Sequence, residues 1–316
     1  MAVKLQQLRY LREIARTGFS VSEAAKALHT SQPGVSKQIQ ILEQELGVRV
    51  FERHGKRIID LTAPGRQVLT IAERLLAETE NLKRVGEEFG SEASGRFTIA
   101  TTHTQARYVL PAAIKRFMER YPSVQLTLHQ GNPTQVAKQA VSGEADLAIA
   151  TEAFEQFEDE LVLLPCYQWN RCVVVPPDHP LLGEQPLTLE AIARFPIITY
   201  DYAFTGRSHI DKAFALRGLT PNIALTAIDA DVIKTYVELG LGIGVIANMA
   251  FDPKRDTNLR SIDVSHLFES STTRIGLRRG TYLRRYVFDF IELFAPHLKR
   301  ETVEAAMKGG GTQYEL

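Results

Sequence analysis

The sequence predicts an α/β protein with an N-terminal all-α winged helix-turn-helix head, a long linker helix and a two-lobed body. Three observations predict it. Residues 1–62 hold two short helical patterns joined by a tight turn and followed by a hairpin pattern. The apolar helical spacing that opens after Thr62 continues to Phe89. From Arg96 to about residue 300, strand and helix patterns alternate.

In the head, Leu5, Leu8, Leu11, Ile14 and Ala15 recur at helical spacing and end before Thr17-Gly18. Ser20 precedes Glu23 by three, the spacing of a capping box, and opens a short helix from Val21 to Leu28. Its small residues Ala24, Ala25 and Ala27 let a neighbouring helix cross closely. After the turn His29-Thr30, either Thr30 or Ser31 can cap the next helix. Pro33 fits its first turn, where the missing N–H has no partner to lose. That helix carries Val35, Ile39, Leu42 and Leu46 on one stripe, shows Ser36, Lys37, Gln38 and Gln40 on the other face, and stops at Gly47. Val48–Arg53 and Ile58–Leu61 around the basic tip His54-Gly55-Lys56-Arg57 read as a wing. Gln and Ser side chains can read base edges in a major groove, Lys37 can meet a guanine or a phosphate, and a helix N-terminus favours phosphate. The candidate DNA-contacting residues are Ser31, Gln32, Pro33, Ser36, Lys37 and Gln38, with Arg53 and Lys56 on the wing. The partner they imply is double-stranded DNA.

Thr62-Ala63-Pro64-Gly65 starts the linker helix, with Val68, Ile71, Ala72, Leu75, Leu76, Leu82, Val85 and Phe89 on its apolar side. A long amphipathic helix of this kind needs a partner, most simply the same helix of a second subunit. The expected division is a DNA-binding domain over 1–62, a linker and hinge over 63–95, and a body over 96–316. One lobe of the body takes about 96–165 and 270–300, the other about 166–269. Strands are expected at Arg96–Thr101, Ser123–Gln130, Leu147–Ala150, Leu161–Pro165, Trp169–Val175, Ile197–Tyr200, Ile223–Ala227, Ile243–Ala247 and Thr273–Arg278. Helices are expected at Ala106–Tyr121, Thr134–Ser142, Leu189–Phe195, Ile210–Gly218, Asp231–Leu239, Leu283–Ala295 and Thr302–Met307.

Charge must be read locally, because 37 basic and 37 acidic side chains cancel. The head holds ten basic against six acidic residues, so a head of net +4 sits on a body of net −4, which fits contact with nucleic acid. Two cysteines make no disulfide framework, and no four-ligand Cys/His cluster stands in the sequence to hold zinc. The first sixteen residues lack the uninterrupted apolar run of a signal peptide, and no window approaches the ~18 apolar residues of a membrane span. The expectation is a soluble protein of the reducing cytoplasm.

In open α/β layers, ligands sit beyond the carboxyl ends of strands, where helix N-termini point. Three such turns are rich in hydroxyls: Thr101–Arg107, the turn at Thr151, and Phe204–Ser208. Hydroxyls, an amide and free N–H groups suit a small polar anion. Gly240, Gly242 and Gly244 alternate at a helix end, which reads as a C-cap and a close-packed strand and not as a dinucleotide loop. No nucleophile elbow, phosphate loop or zinc-protease motif occurs, and no acid neighbours His103 in sequence. An enzyme is therefore not expected, and His103 reads as a pocket residue. Cys166 and Cys172 stand six apart, on one strand face about 20 Å from each other, as buried thiols. Trp169 either lines the cleft or fills the core.

Ser31–Ser36, Leu42–Gly47 and Phe51-Glu52-Arg53 resemble the DNA-binding signature of the LysR-type transcriptional regulators. The resemblance extends over essentially the whole chain. The segments Ala100–Tyr108, Ala150–Ala153, Leu164–Arg171, Phe204–Ser208 and Asp229–Ala247 look like the branch of that family that governs sulfur assimilation. That resemblance implies a body with the type II periplasmic-binding-protein fold and a tetramer built as a dimer of dimers. It implies work with RNA polymerase at cysteine-biosynthesis and sulfur-uptake promoters. It implies N-acetylserine or O-acetylserine as inducer, opposed by sulfate, sulfide or thiosulfate, and no cofactor. A sister regulator of sulfonate and sulfate-starvation genes, answering to a sulfur anion, is the alternative. Family ligand residues match Thr102, Thr104, Gln105, Thr151 and Thr205. Asn132 stands where the family pattern has serine, and Trp169 joins the implied pocket.

Overall fold

Capping and periodicity shape the first ninety residues much as the sequence reads. The computed structural model describes residues 3–55, 57–90, 94–151, 153–184, 186–202 and 206–309, and the chain separates into two units, Met1–Gly90 and Ser91–Leu316. The first unit opens with α1 (Leu5–Arg16), α2 (Val21–Ala27) and α3 (Gln32–Leu46). Ser20 accepts a hydrogen bond from the Glu23 N–H at 3.3 Å, but the Glu23 carboxylate turns to Lys26 at 2.8 Å, so half of the capping box forms. Ser31 caps α3 through the Gly34 N–H, and Gly47 closes it in the left-handed conformation with φ 69°. The wing pairs β1 (Phe51–His54) antiparallel with β2 (Arg57–Leu61). The 28-residue α4 (Ala63–Gly90) follows. Leu11, Ile14, Val35, Ile39, Leu42 and Val50 are fully buried in one core, to which α4 adds Ala72 and Leu76.

Two five-stranded sheets build the second unit. The first orders β4 (Val124–Gln130), β3 (Gly95–Thr101), β5 (Leu147–Thr151), β12 (Ser271–Arg278) and β6 (Leu161–Trp169). The second orders β11 (Arg260–Asp263), β7 (Arg171–Val175), β10 (Ile243–Ala247), β8 (Ile197–Tyr200) and β9 (Ile223–Ala227). Strands β3, β4 and β5 run parallel, as do β8, β9 and β10, while β12 and β7 pair antiparallel to their neighbours. Helices cover both faces of each sheet, as parallel strands require. On the first, α5 (Leu110–Arg120), α10 (Arg285–Phe294) and α11 (Arg300–Met307) pack one face and α6 (Pro133–Ser142) the other. On the second, α7 (Leu189–Ala193) and α8 (Gly206–Leu216) oppose α9 (Ala230–Glu238). The chain passes between the sheets at Asn170 and again between Asp263 and Ser271. We call the sheets with their helices lobe I and lobe II.

Four details differ from the sequence reading. The strand expected to end at Pro165 continues through Trp169. It lies at the sheet edge, and its pairing slips between Pro165, opposite Arg274, and Tyr167, opposite Thr273, so a bulge absorbs the proline's missing N–H. The helix expected from Ala106 begins instead as a π-helical turn, Gln105–Val109. Pro111 in the first turn of α5 cannot donate back into a continuous α ladder, and the wider turn precedes it. Strand β11 was not expected at all; it is a short edge strand whose side chains are mostly exposed, so it lacks an apolar signal. Cys166 and Cys172 do not share a strand face: Cys166 sits in the bulge of lobe I and Cys172 in β7 of lobe II. The alternating glycines do what was expected of them. Gly240 ends α9 at φ 76°, and a Cβ on Gly242 would meet the Pro196 carbonyl oxygen at 2.4 Å.

Both cysteines are free and buried. Burial pushes the Cys166 thiol up to about 12 and the Cys172 thiol up to about 11. Because the thiolate is the reactive form, an aromatic disulfide reagent at pH 8 is expected to find no rapidly reacting thiol in the native protein and both after denaturation. Rapid native reaction of either would contradict this packing.

Candidate DNA-binding face and effector cleft

On α3, burial of Val35, Ile39 and Leu42 turns the opposite side outward. Gln32, Pro33, Lys37 and Gln40 are exposed, Ser36 and Gln38 are half-buried, and Ser31 caps the helix at the same end. These candidates are brought together on one polar face at the helix N-terminus. Arg53 is given a local task as well: its guanidinium pairs with Glu43 of α3 at 3.2 Å. The other Glu43 oxygen accepts the Val50 and Phe51 N–H groups at 2.9 and 3.2 Å. Glu43 therefore pins the start of the wing to α3, a role that sequence reading did not assign because its partners lie seven and eight residues away. Lys56 lies outside the described residues. Arg57 across the wing tip is exposed.

In lobe I, the strand ends gather the effector candidates. Thr101 lies opposite Ile149 in the parallel β3–β5 register, which sets Thr151 at the same sheet end as the turn beginning at Thr102. Thr102, His103 and Thr104 are half-buried there, and Thr151 is buried. Gln105, 2% exposed, is the anchor of the turn: its amide donates to Thr273 at 3.2 Å, and its carbonyl accepts the Tyr167 hydroxyl. Thr273 in turn pairs with Thr151 across β5 and β12. Thr205 lies outside the described residues. Asn132 caps α6 with its amide oxygen on the Gln135 N–H at 2.9 Å, in a reciprocal box with Gln135. Trp169, at the end of β6, carries the Arg171 guanidinium 5.3 Å from its ring centre, and its indole N–H is buried with no hydrogen-bond partner among the described residues. Next to it a cavity of about 420 Å³ opens between the lobes, lined by Tyr108, Tyr167, Trp169, Asn248 and Met249.

Lobe II approaches this turn with α9 and the end of β8. The Tyr200 hydroxyl accepts the Ala247 N–H at 3.3 Å, and burial raises the pKa of its phenol. Arg107 meets the Asp231 carboxylate at 2.6 Å, and the Tyr108 hydroxyl donates to the other Asp231 oxygen at 2.7 Å. Lys234, nearly buried, donates to Tyr108 at 3.0 Å, to the Ala250 carbonyl at 3.0 Å and to Asp256 at 2.9 Å. Burial opposes its charge, but the bonds to Tyr108 and Asp256 outweigh that and leave its pKa raised. His103 stands 4.0 Å from Asp231, and with Asp229 the three place ligand-type atoms within 4.8 Å of one another. Arg107 and Lys234 already neutralise Asp231 there, which disfavours a bound cation. Tyr167, Tyr200, Tyr108 and Asp231 escaped sequence reading because each meets its partner through long-range pairing.

The arrangement offers hydroxyl, amide and N–H donors at a strand end, which is chemistry for binding. Comparison with known proteins agrees. Residues 5–66 match the description "Bacterial regulatory helix-turn-helix protein, lysR family", and residues 90–299 match "LysR substrate binding domain". The chain is 57% identical over 314 residues to the HTH-type transcriptional regulator CysB of Burkholderia cenocepacia, covering 99% of this chain and 100% of that one. It is 47% identical over 302 residues to the HTH-type transcriptional regulator cbl of Escherichia coli, covering 96% and 95%. The crystal structure of the cofactor-binding domain of the Cbl transcriptional regulator superposes with a TM-score of 0.66 at 47% identity, covering 69% of this chain and 95% of that chain.

Proposed function

The chain belongs to the LysR family of transcriptional regulators, and from that premise we propose that it activates cysteine-biosynthesis and sulfur-uptake genes under control of a small polar effector. N-Acetylserine or O-acetylserine is the inducer in this reading, and sulfate, sulfide or thiosulfate opposes it. The observation that carries it is the gathering of Thr102, Thr104 and Thr151 at one sheet end beside Gln105. Neutral donors of this kind hold a carboxylate or sulfate without a buried counter-charge. Effector binding shifts the populations of body conformations, and DNA affinity changes with them. Thr205 and Trp169 complete the proposed pocket, with Asn132 at the edge through its cap. Among the described residues no helix is long and apolar enough to cross a membrane.

Ser31, Gln32, Pro33, Ser36, Lys37 and Gln38 form the proposed DNA-reading face, with Arg53 and Lys56 on the wing. Phosphate contacts supply most of the affinity, and base contacts supply the sequence preference. The oligomer follows from α4. Its exposed apolar residues Ile71, Leu75, Leu82 and Phe89 are spaced by four, seven and seven, and that spacing puts them on one stripe. Leu82 is 74% and Phe89 84% exposed, an apolar surface that pairing with a second copy would remove from water. A dimer built there sets two recognition helices on two half-sites, and two dimers make the tetramer that works with RNA polymerase at the promoter.

A second reading, a regulator of sulfonate and sulfate-starvation genes answering to a sulfur anion, is favoured by the 47% identity to cbl. Fluorescence anisotropy on DNA upstream of a cysteine-biosynthesis operon separates the two. Tight, salt-sensitive binding that N-acetylserine alters supports the first. A response to sulfate alone supports the second, and no specific binding at any salt rejects both. On the same DNA, Gln32→Ala is expected to lose about 1–3 kcal/mol of discrimination; unchanged preference would remove Gln32 as a base reader. Leu82→Asp is expected to shift the protein to smaller species in sedimentation, and an unshifted profile would rule out the α4 seam.

A further inference from the structure

The turn that carries the effector candidates is held by both lobes at once. On lobe I, Gln105 is fixed by Thr273 and Tyr167. Three residues on, the same segment has crossed to lobe II. The π-turn Gln105–Val109 widens the backbone at this point, and wide turns of this type recur at functional sites. Arg107 and Tyr108 reach the two oxygens of Asp231 at 2.6 and 2.7 Å. Tyr108 also accepts from Lys234 at 3.0 Å, and Lys234 continues to Asp256 at 2.9 Å.

We propose that Tyr108, Asp231 and Lys234 form an interlobe latch, and that the latch carries the state of the Thr102–Gln105 turn to helix α9 of lobe II. The chain is short and fully polar, and its steps from Tyr108 to Asp231 and from Tyr108 to Lys234 cross between the lobes. Asp231 balances Arg107 and Lys234, and an anion arriving beside Thr102 and Thr104 competes with it for those cations. Tyr108 and Asp231 are thus positioning residues: they act through the turn and α9. The latch itself stands on the distances above, while its use in signalling rests on the effector reading.

Hydrogen–deuterium exchange on the full chain tests both parts. Tyr108→Phe removes one hydroxyl and keeps the ring, and Asp231→Asn keeps the shape and removes the charge. With a latch, Tyr108→Phe speeds exchange in residues 230–238 of the opposite lobe, and Asp231→Asn speeds it in 102–109, each by about five- to tenfold, the scale of one lost hydrogen bond. If each substitution loosens only its own segment, there is no latch. Sulfate is then added. In the unsubstituted protein, protection is expected to change in both 102–109 and 230–238; in Tyr108→Phe the change stays within 102–109. An undiminished response at 230–238 in Tyr108→Phe would overturn the signalling role. No response to sulfate at 102–109 in the unsubstituted protein would reject sulfate as a ligand of the turn and with it the signalling role, leaving the latch to be judged by the first arm.

Discussion

The amide of Gln105 is the constraint on which the proposed effector site depends. It is buried at the end of β3 with its nitrogen on Thr273 and its oxygen on Tyr167. A buried amide left without partners would be expensive, so these two bonds hold the turn to one conformation. Thr102 and Thr104 precede it and inherit their positions from it; Arg107 and Tyr108 follow it and reach lobe II for the same reason. The site is thus built on a residue that gives one amide N–H and its carbonyl oxygen to the scaffold and keeps a second amide N–H.

The head obeys a similar economy. Three fully buried residues of α3, Val35, Ile39 and Leu42, decide which side of the helix meets solvent. Ser31 and Gly47 fix where the helix starts and stops. Glu43 then ties the wing to the same helix through two backbone N–H groups and Arg53. Helix α3 and the wing are therefore joined into one surface, as the proposed reading of base edges and phosphates together needs.

Much of this was legible in the sequence wherever the signal is local. The caps at Ser20 and Ser31, the stop at Gly47 and the apolar stripe of α3 are all set by residues within one or two turns of each other. Most strands of the body announce themselves as short apolar runs. What escaped depends on distant partners. Tyr108 and Asp231 are 123 residues apart, and nothing near either one in sequence points to the other. The run of β6 past Pro165 requires knowing that it is an edge strand, and the π-turn requires weighing Pro111 against the helix before it. The two cysteines look like neighbours on one strand until the chain is seen to change sheets between them.

In the proposed function, the turn from Thr102 to Gln105 binds the effector. Calorimetric titration of N-acetylserine and of sulfate into the full-length protein and into its Thr102→Met variant tests it most directly. At least one ligand is expected to bind the unsubstituted protein, and filling the half-buried Thr102 position with a larger apolar side chain is expected to abolish that binding while the fold persists. Equal binding by both proteins would contradict it and move the effector elsewhere in the body.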